Sequence, residues 1–423
     1  MLLDRSQAPE FKIPEDFELR YPEKFTLSNG IHVFYFPTQG IDAVKIDITC
    51  QGQRDKLPLE QTLLPSFTLQ MLSEGTTSKS SQDVANFLDF HASEISPILT
   101  FSKEGLSLLS TQKHLMAVLE LMVDLIQQPS FTPEILEKRK SQRRLSIQLE
   151  RERTSSRAGQ LFRKGLFGAT HPYGFEIGEK EVDLIDPEKI HFYRDHLLWQ
   201  ETEIFISGDF SSQKLRNILD FLEQIPIRTK ASGIISHEFN PMEVLHENRE
   251  TAVQSSIRLG YYSIPKNHPD FISLSIFNTI LGGYFGSRLI KNIREDKGHT
   301  YGIFSSLAEI GNSNYWVISA DVQKSFNREV ISEIHREIQR LVHEPLEQEE
   351  LETVRNYQIG QMLSRFSSSF DLMDRFRAVH HSGLDLDFYA KKLEFLRRFS
   401  SEDILQTGEK YFKDSPFLEV IVG

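Results

Sequence analysis

Alternating apolar and polar positions mark four stretches of the sequence that predict β-strands. Apolar residues recur at every second position over residues 30–36 and 43–51, and again over residues 255–264 and 314–323. In both halves of the chain, longer stretches with the apolar spacing of amphipathic helices follow the two strands. The pattern therefore predicts two successive units, each with strands first and helices after.

The two units also resemble each other in their later parts. Gln112 and Gln323 each precede a lysine and an amphipathic helix that is interrupted by proline. Near the end of each half, a helix, a polar turn and an apolar strand lead to Gly208 and to Gly423. The corresponding offsets, 211 and 215 residues, are too long for a solenoid repeat and suit a duplicated domain.

These patterns predict an α+β protein made of two homologous domains. Each domain is expected to be a mostly antiparallel sheet covered by helices on one face. Residues 1–230 are predicted to form the first domain and residues 248–423 the second. Small, polar and proline residues between them predict a linker over residues 231–247.

Composition narrows the class of protein. The 423 residues, 39% of them hydrophobic, are enough for at least two packed cores. A formal charge of -12 disfavours nucleic acid and anionic membranes as partners, because both would repel the chain. The single cysteine, Cys50, excludes an intrachain disulfide and a thiolate metal cluster. Neither a signal peptide nor a membrane span is recognisable, so we expect a soluble, cytoplasmic protein.

Residues 66–78, with the sequence SFTLQMLSEGTTS, are the first candidate for chemistry. This stretch resembles the zinc-binding helix of the M16 metallopeptidases, in which His-Xaa-Xaa-Glu-His precedes an apolar pair and Gly-Thr. The resemblance extends over nearly the whole chain and includes HPYGFEIG at His171 and LGGYFGSRLIKNIREDKGHTYG over residues 281–302. It implies the M16 fold of two homologous domains.

The metal-binding residues of that family are not present in this chain. Ser66 and Gln70 occupy the two histidine positions, and Leu69 occupies the position of the glutamate that acts as general base. The further glutamate ligand of the family corresponds to Ser146. Zinc requires nitrogen, sulfur or carboxylate ligands, which these four residues do not provide. We therefore expect no metal and no cofactor in this chain.

The stretch REDKGHTY keeps a different part of the family's active site. Arg294 and Tyr301 are similar to the arginine and tyrosine with which M16 enzymes reach the scissile peptide from the second domain. The resemblance implies that both residues stabilise charge on the peptide oxygen in the transition state. Because Gly298 should end the helix, we expect Arg294 on its last turn and Tyr301 at the start of a strand. The alternative is a surface ion pair and a half-buried tyrosine, with His299 as a turn or surface residue.

Two further segments have weaker interpretations. Gly282, Gly283 and Phe285 are either a helix break or, by resemblance to the family, a flexible glycine-rich segment that contacts substrate. Residues 138–157 form a strongly basic helix in an acidic chain. This helix is either a solvated face or a surface that attracts acidic peptide segments or an acidic partner.

The chain resembles one subunit of the M16 peptidases that divide their active site between two subunits, and this resemblance implies the non-catalytic subunit of a heterodimeric zinc peptidase that hydrolyses unfolded peptides. The partner would be an M16 subunit with His-Xaa-Xaa-Glu-His, which supplies the zinc, while this chain donates Arg294 and Tyr301. A homodimer of the isolated chain is also compatible with the sequence. The alternative function is an inert scaffold of the M16 fold, similar to the core subunits of the bc1 complex. An autonomous enzyme with another metal arrangement has no support from residue spacing.

Overall fold

The computed structural model describes residues 19–228, 244–366 and 368–423, and these residues form two β-sheets. The strands of the first described sheet are Glu23–Thr26 (β1), His32–Pro37 (β2), Ala43–Gln51 (β3), Glu94–Leu99 (β4), Lys103–Thr111 (β5) and Glu203–Gly208 (β6). The strands of the second are Val244–Glu247 (β7), Gln254–Tyr262 (β8), Thr300–Ile310 (β9), Ser313–Gln323 (β10) and Leu418–Val422 (β11).

Both sheets have the same strand order. The first runs β2-β6-β3-β5-β4, with β1 added beside β2, and the second runs β7-β11-β8-β10-β9. In the first sheet β2 pairs in parallel with β6, and in the second β7 pairs in parallel with β11. All other strand pairs of the described sheets are antiparallel. The predicted α+β class with two homologous, mostly antiparallel units is therefore confirmed.

Helices follow the strands in each half. The α-helices of the first half are Leu64–Leu72 (α1), Ser81–Phe90 (α2), Leu115–Gln127 (α3), Pro133–Glu152 (α4), Thr154–Phe167 (α5), Glu179–Asp183 (α6), Pro187–Phe192 (α7) and Ser212–Leu222 (α8). Those of the second half are Phe271–Asn278 (α9), Asn327–His343 (α10), Gln348–Ser364 (α11), Ser369–His380 (α12), Asp387–Arg398 (α13) and Ser401–Tyr411 (α14). π-Helical segments span Tyr193–Leu197, Thr279–Gly283 and Ile290–Asp296, and short 3₁₀ turns span Arg54–Lys56, Leu59–Gln61 and Lys324–Phe326. Among the described residues, no helix is long and apolar enough to cross a membrane.

Each half has its own hydrophobic core on one face of its sheet. In the first half, α1 and α3 supply much of the core. In the second half, α10 presents Val330, Ile334, Ile338 and Leu341 at spacings of three and four residues, so all four lie on one helical face. These periodic apolar positions are the ones that the sequence pattern predicts.

The opposite face of each sheet is covered by a helix from the other half. Helix α5 of the first half packs on the second sheet, where its Phe162 and Phe167 join a cluster with Val420 of β11. Conversely, α12 of the second half packs on β2 and β6, where Phe376 contacts Phe34. The prediction that a unit's own helices cover one face is correct, and this exchange of α5 and α12 buries the other face.

Polar contacts fix the position of α12 on the first sheet. Asp47 is fully buried and forms an ion pair with Arg377. Further along the helix, Nε2 of His380 lies 2.6 Å from Oε1 of Glu203 on β6. The hydrogen bond with His380 lowers the pKa of the Glu203 carboxyl, against the opposing effect of its burial, so this carboxylate stays charged at neutral pH. A buried charge must be paired, so these contacts specify one docked position of the helix.

The predicted linker and domain limits fall partly outside the described residues. Of the linker, residues 231–243 are not described. Its last residues, Val244–Glu247, form strand β7, which pairs in parallel with β11 at the edge of the second sheet. The second sheet therefore begins within the predicted linker. The sequence did not reveal β7, because the apolar pattern of a four-residue edge strand is too weak to be recognised. The domain limits at residues 230 and 248 remain predictions.

We expect Phe376→Ala to destabilise both halves of the protein. The Phe376 side chain is buried, with its ring centroid 5.0 Å from that of Phe34 and 5.5 Å from that of Phe36. Its truncation should lower the free energy of unfolding by about 3–5 kcal/mol, through lost burial and the cavity left behind. Chemical denaturation measures this loss, and hydrogen exchange should show weaker amide protection in both sheets.

The matched control is Phe90→Ala on α2, because the Phe90 side chain is 80% exposed. This change should alter the free energy of unfolding by about 0.5 kcal/mol or less. Equal losses for the two variants would contradict the importance of the exchanged helix.

Candidate functional site

The four residues predicted to occupy the family's metal-site positions lie on α1 and α4 and do not fit zinc. Ser66 donates its hydroxyl proton to the carbonyl of Leu63 at 2.8 Å, and Leu69 is fully buried in the core. Gln70 is exposed, and Ser146 donates to Glu150 at 2.8 Å. Hydroxyl, amide and isobutyl groups are not the ligands that zinc takes in proteins. Within the described ranges there is no group of three or more His, Cys, Asp or Glu residues positioned to hold a metal ion.

Arg294 and Tyr301 line the same cleft, which has a volume of about 720 Å³. Arg294 lies in the last turn of the π-helical segment Ile290–Asp296, and Tyr301 is the second residue of β9. Between them, Gly298 adopts a φ of +67°, a left-handed conformation that glycine takes without strain. This is the helix, turn and strand arrangement predicted from the sequence.

A β-bulge turns Tyr301 away from the core. Ala320 pairs with Ile303 and Val322 pairs with Thr300, so β9 has one more residue than β10 in this interval. Thr300 is therefore buried, where its hydroxyl donates to the carbonyl of Asp321 at 2.6 Å. Tyr301, which would otherwise share the inward face with Ile303, is 89% exposed. The extra residue thus directs the phenol into the cleft.

Arg294 has no charged partner among the described residues. Its guanidinium carbon lies 4.8 Å from the centroid of the Phe285 ring, which is a cation–π contact. Neither adjacent carboxylate, Glu295 or Asp296, lies within ion-pair distance of it in the described structure. The surface ion pair considered as an alternative is therefore not formed. The ring holds the arginine in place while its N–H groups keep their capacity to donate hydrogen bonds.

His299 supports the turn from the inside. Its ring stacks on that of Phe326, with centroids 4.1 Å apart, and its Nε2 atom lies 3.2 Å from Oε1 of Glu329. Hydrogen bonding to His299 lowers the pKa of the Glu329 carboxyl. The backbone N–H of His299 donates to the carbonyl of Ile293 at 3.0 Å, which ties the turn to the preceding helical segment. His299 is therefore a half-buried turn residue rather than a fully exposed one.

The glycine-rich segment before Arg294 contains one packing residue and two exposed ones. Gly282 is buried against β9, and a Cβ atom there would lie 2.8 Å from Cβ of Ser305. Gly283 and Phe285 are exposed, and Phe285 carries the cation–π contact described above. Gly282 has a non-helical conformation and breaks the helix. Of the three residues predicted to contact substrate, only Gly283 and Phe285 are accessible.

A second exposed aromatic residue beside Tyr301 is not identifiable from the sequence. Phe304 on β9 is more than half exposed, and its ring lies over Gly302, where a Cβ atom would come within 2.9 Å of it. Strand β9 is the last strand at its edge of the described sheet. The sequence signal for Phe304, an aromatic residue in a strand, normally indicates a core position.

Comparison with known proteins connects the chain with one family. Residues 188–357 match the family model described as the peptidase M16 inactive domain. The "Uncharacterized zinc protease YmxG" of Bacillus subtilis is 21% identical over 357 residues, which cover 84% of this chain and 86% of that protein. The crystal structure of a peptidase M16 inactive domain from Pseudomonas fluorescens has a TM-score of 0.83 at 19% identity, over 95% of this chain and 98% of that one. A chain of complex III2 from Candida albicans has a TM-score of 0.74 at 15% identity, over 95% of both chains.

We expect Gly282→Ala to destabilise the site segment. The added methyl group would also come within 2.9 Å of the backbone nitrogen of Ser305, so the segment must move away from β9. Such overpacking should lower the free energy of unfolding by about 1–3 kcal/mol, measured by urea denaturation.

Gly360→Ala is the matched control. Gly360 lies inside α11, and no atom is within 4 Å of the position that its Cβ would take. This change should raise stability by about 0.5–1 kcal/mol, because alanine favours the helix. If Gly282→Ala were as stable as Gly360→Ala, the close approach of the segment to β9 would be refuted.

Proposed function

Because the chain belongs to the M16 peptidase family, as a member with the inactive type of domain, we propose that it is the non-catalytic subunit of a heterodimeric zinc peptidase. Its partner would be an M16 subunit that carries His-Xaa-Xaa-Glu-His and binds the zinc. This chain would donate Arg294 and Tyr301 to the reacting peptide. Neither residue can act alone, because the metal ligands and the general base are absent from the corresponding positions.

The main support for the proposal is that, within the described residues, neither the Arg294 guanidinium nor the Tyr301 hydroxyl is paired with another polar group. Within the described residues, Arg294 has only the face of Phe285 as a partner, and no hydrogen bond of the Tyr301 hydroxyl is formed. Both side chains border the same cleft. A guanidinium and a phenol that are free to donate are suited to an oxygen on which negative charge develops. Holding them in place before reaction avoids the cost of reorganising them.

The substrate would be an unfolded peptide held along the cleft. Tyr301 and Phe304 present exposed rings on β9, Phe285 presents its ring to Arg294, and Gly283 is exposed. The unpaired edge of β9 offers backbone N–H and C=O groups to an extended chain. Backbone recognition of this kind tolerates many sequences and requires the substrate to be unfolded.

The proposed complex would be cytoplasmic. Cys50, the single cysteine of the chain, is buried on β3, and burial strongly raises the pKa of its thiol. A thiol of this kind is unreactive and suits a reducing compartment. Without the zinc-bearing partner, the surface that serves the heterodimer could pair two copies of this chain.

The second candidate function is an inert scaffold. The similarity in fold to a chain of complex III2 from Candida albicans is compatible with such a role. The arrangement of Arg294 and Tyr301 favours the peptidase subunit, since a scaffold gains nothing from an arginine without a carboxylate and a tyrosine held in solvent.

The test is peptide hydrolysis by this chain, by a candidate zinc-bearing M16 subunit and by their mixture. We expect activity only in the mixture, with complete loss when a chelator removes the metal. Arg294→Ala and Tyr301→Phe should each lower kcat at least tenfold, since loss of one transition-state donor typically costs about 3 kcal/mol. Formation of the complex should be unchanged.

The control is Arg336→Ala, which removes an exposed arginine from α10 in the same half of the chain. Its mixture with the zinc-bearing subunit should have full activity. Full activity of both Arg294→Ala and Tyr301→Phe would refute the donor roles. A mixture without activity would favour the scaffold.

A further inference from the structure

Three arginines line a second cavity, which lies in the first half of the chain. Arg143 and Arg151 on α4 and Arg163 on α5 border a space of about 410 Å³, together with one carboxylate, Glu150. We call this space the arginine pocket. Its volume lies in the range of small-ligand sites. It adjoins a degenerate metal-binding position, because Arg143 donates a hydrogen bond to Ser146 at 3.3 Å.

The positive charges of the arginine pocket are incompletely compensated. Arg143 pairs with Glu150 at 2.8 Å, and Arg151 is 3.7 Å from the carboxylate of Glu176. Arg163 has no hydrogen bond or ion pair among the described residues, although burial lowers the pKa of its guanidinium. Arg163 is only half-buried, so its five N–H donors remain open to an anion that enters the pocket.

A fourth arginine adds to the positive field. Burial lowers the pKa of Arg54, the charges of Glu104 and Tyr193 raise it, and those of Arg143 and Arg163 lower it, so Arg54 is near enough to feel both arginines. The guanidinium carbon of Arg54 lies 4.5 Å from the centroid of the Phe101 ring, and its Nε atom is buried without a hydrogen-bond partner.

The buried carboxyl group whose charge acts on Arg54 is that of Glu104. Glu104 is fully buried, and burial raises its pKa to about 7, so it is only partly ionised at neutral pH. Its two oxygens already accept hydrogen bonds from the Tyr193 hydroxyl at 2.6 Å and from the Gln53 backbone at 3.0 Å. Glu150 and Glu176 thus serve Arg143 and Arg151, and Arg163 is left to pair with an external anion.

We propose that the arginine pocket binds a carboxylate side chain of the peptide substrate, so that the complex prefers peptides with acidic residues. This inference rests on the proposed function, because it places the pocket in the chamber that holds the peptide. The planar guanidinium matches a carboxylate through two parallel hydrogen bonds. With Arg143 engaged by Glu150, Arg163 is the principal donor and Arg151 the second.

The test measures binding to the purified full-length chain by fluorescence anisotropy, without the partner. The probes are a fluorescein-labelled unfolded peptide of about ten residues with two glutamates and its counterpart with two glutamines. The glutamate peptide should bind at least about fivefold more tightly. Arg163→Gln should abolish this preference and leave the affinity for the glutamine peptide unchanged. Because Arg163 forms no ion pair in the described structure, the variant should keep the thermal stability of the native chain.

Arg144→Gln is the matched control, since Arg144 is on α4, the helix that carries Arg143 and Arg151, but pairs with Asp183 and does not line the pocket. It removes the same charge and should keep the preference. Equal binding of the two peptides by the native chain would overturn the proposal, and so would a preference that survives Arg163→Gln. Calorimetric titration with inorganic phosphate distinguishes a carboxylate of a peptide from a free anion as the ligand. Phosphate binding without a peptide preference would refute a peptide site. This test measures binding and not hydrolysis, so a failure of the proposed two-subunit peptidase would be recognised separately, in the hydrolysis assay.

Discussion

The exchange of α5 and α12 is the interaction on which the rest of the structure depends. A sheet with one face on its own core still exposes an apolar second face, and here that face carries Phe34 and Phe205 in one half and Val420 in the other. Each half covers the other's sheet with one helix. Neither half can therefore reach its native burial alone. The exchange also fixes the first half against the second, which contains Arg294 and Tyr301.

Local backbone geometry then determines what the second half presents to solvent. Because of one extra residue in β9, Thr300 is buried and Tyr301 is exposed to solvent. Gly298 allows the chain to turn from the helical segment into that strand. Phe285 holds Arg294 in place without neutralising it. The residues at the predicted metal-site positions of the first half differ from Arg294 and Tyr301, because they take part in the structure around them. Leu69 is part of the core, and the Ser66 hydroxyl donates a hydrogen bond to the carbonyl of Leu63. In the first half these residues thus contribute to packing and helix structure, while the second half contains two groups that packing does not require.

The sequence predicted those features that depend on local periodicity and spacing. The duplication and the α+β class followed from matched patterns in the two halves, and the placement of Arg294 at the end of a helical segment and of Tyr301 at the start of a strand followed from Gly298. The exchange of α5 and α12 could not be predicted, because an apolar helical face does not specify which sheet it covers. The bulge was also hidden, since plain alternation places Tyr301 inward with Ile303. The arginine pocket combines residues from separate helices, of which only the basic stretch over residues 138–157 was apparent.

The central claim is that this chain completes the active site of a partner that holds the metal. The most direct measurement is a structure of the complex between this chain and a zinc-bearing M16 subunit with a non-hydrolysable peptide bound. We expect the Tyr301 hydroxyl and the Arg294 guanidinium to lie within about 3 Å of the oxygen of the peptide bond at the metal. A peptide oxygen bound only by the partner's own residues, with Arg294 and Tyr301 both out of contact, would contradict it.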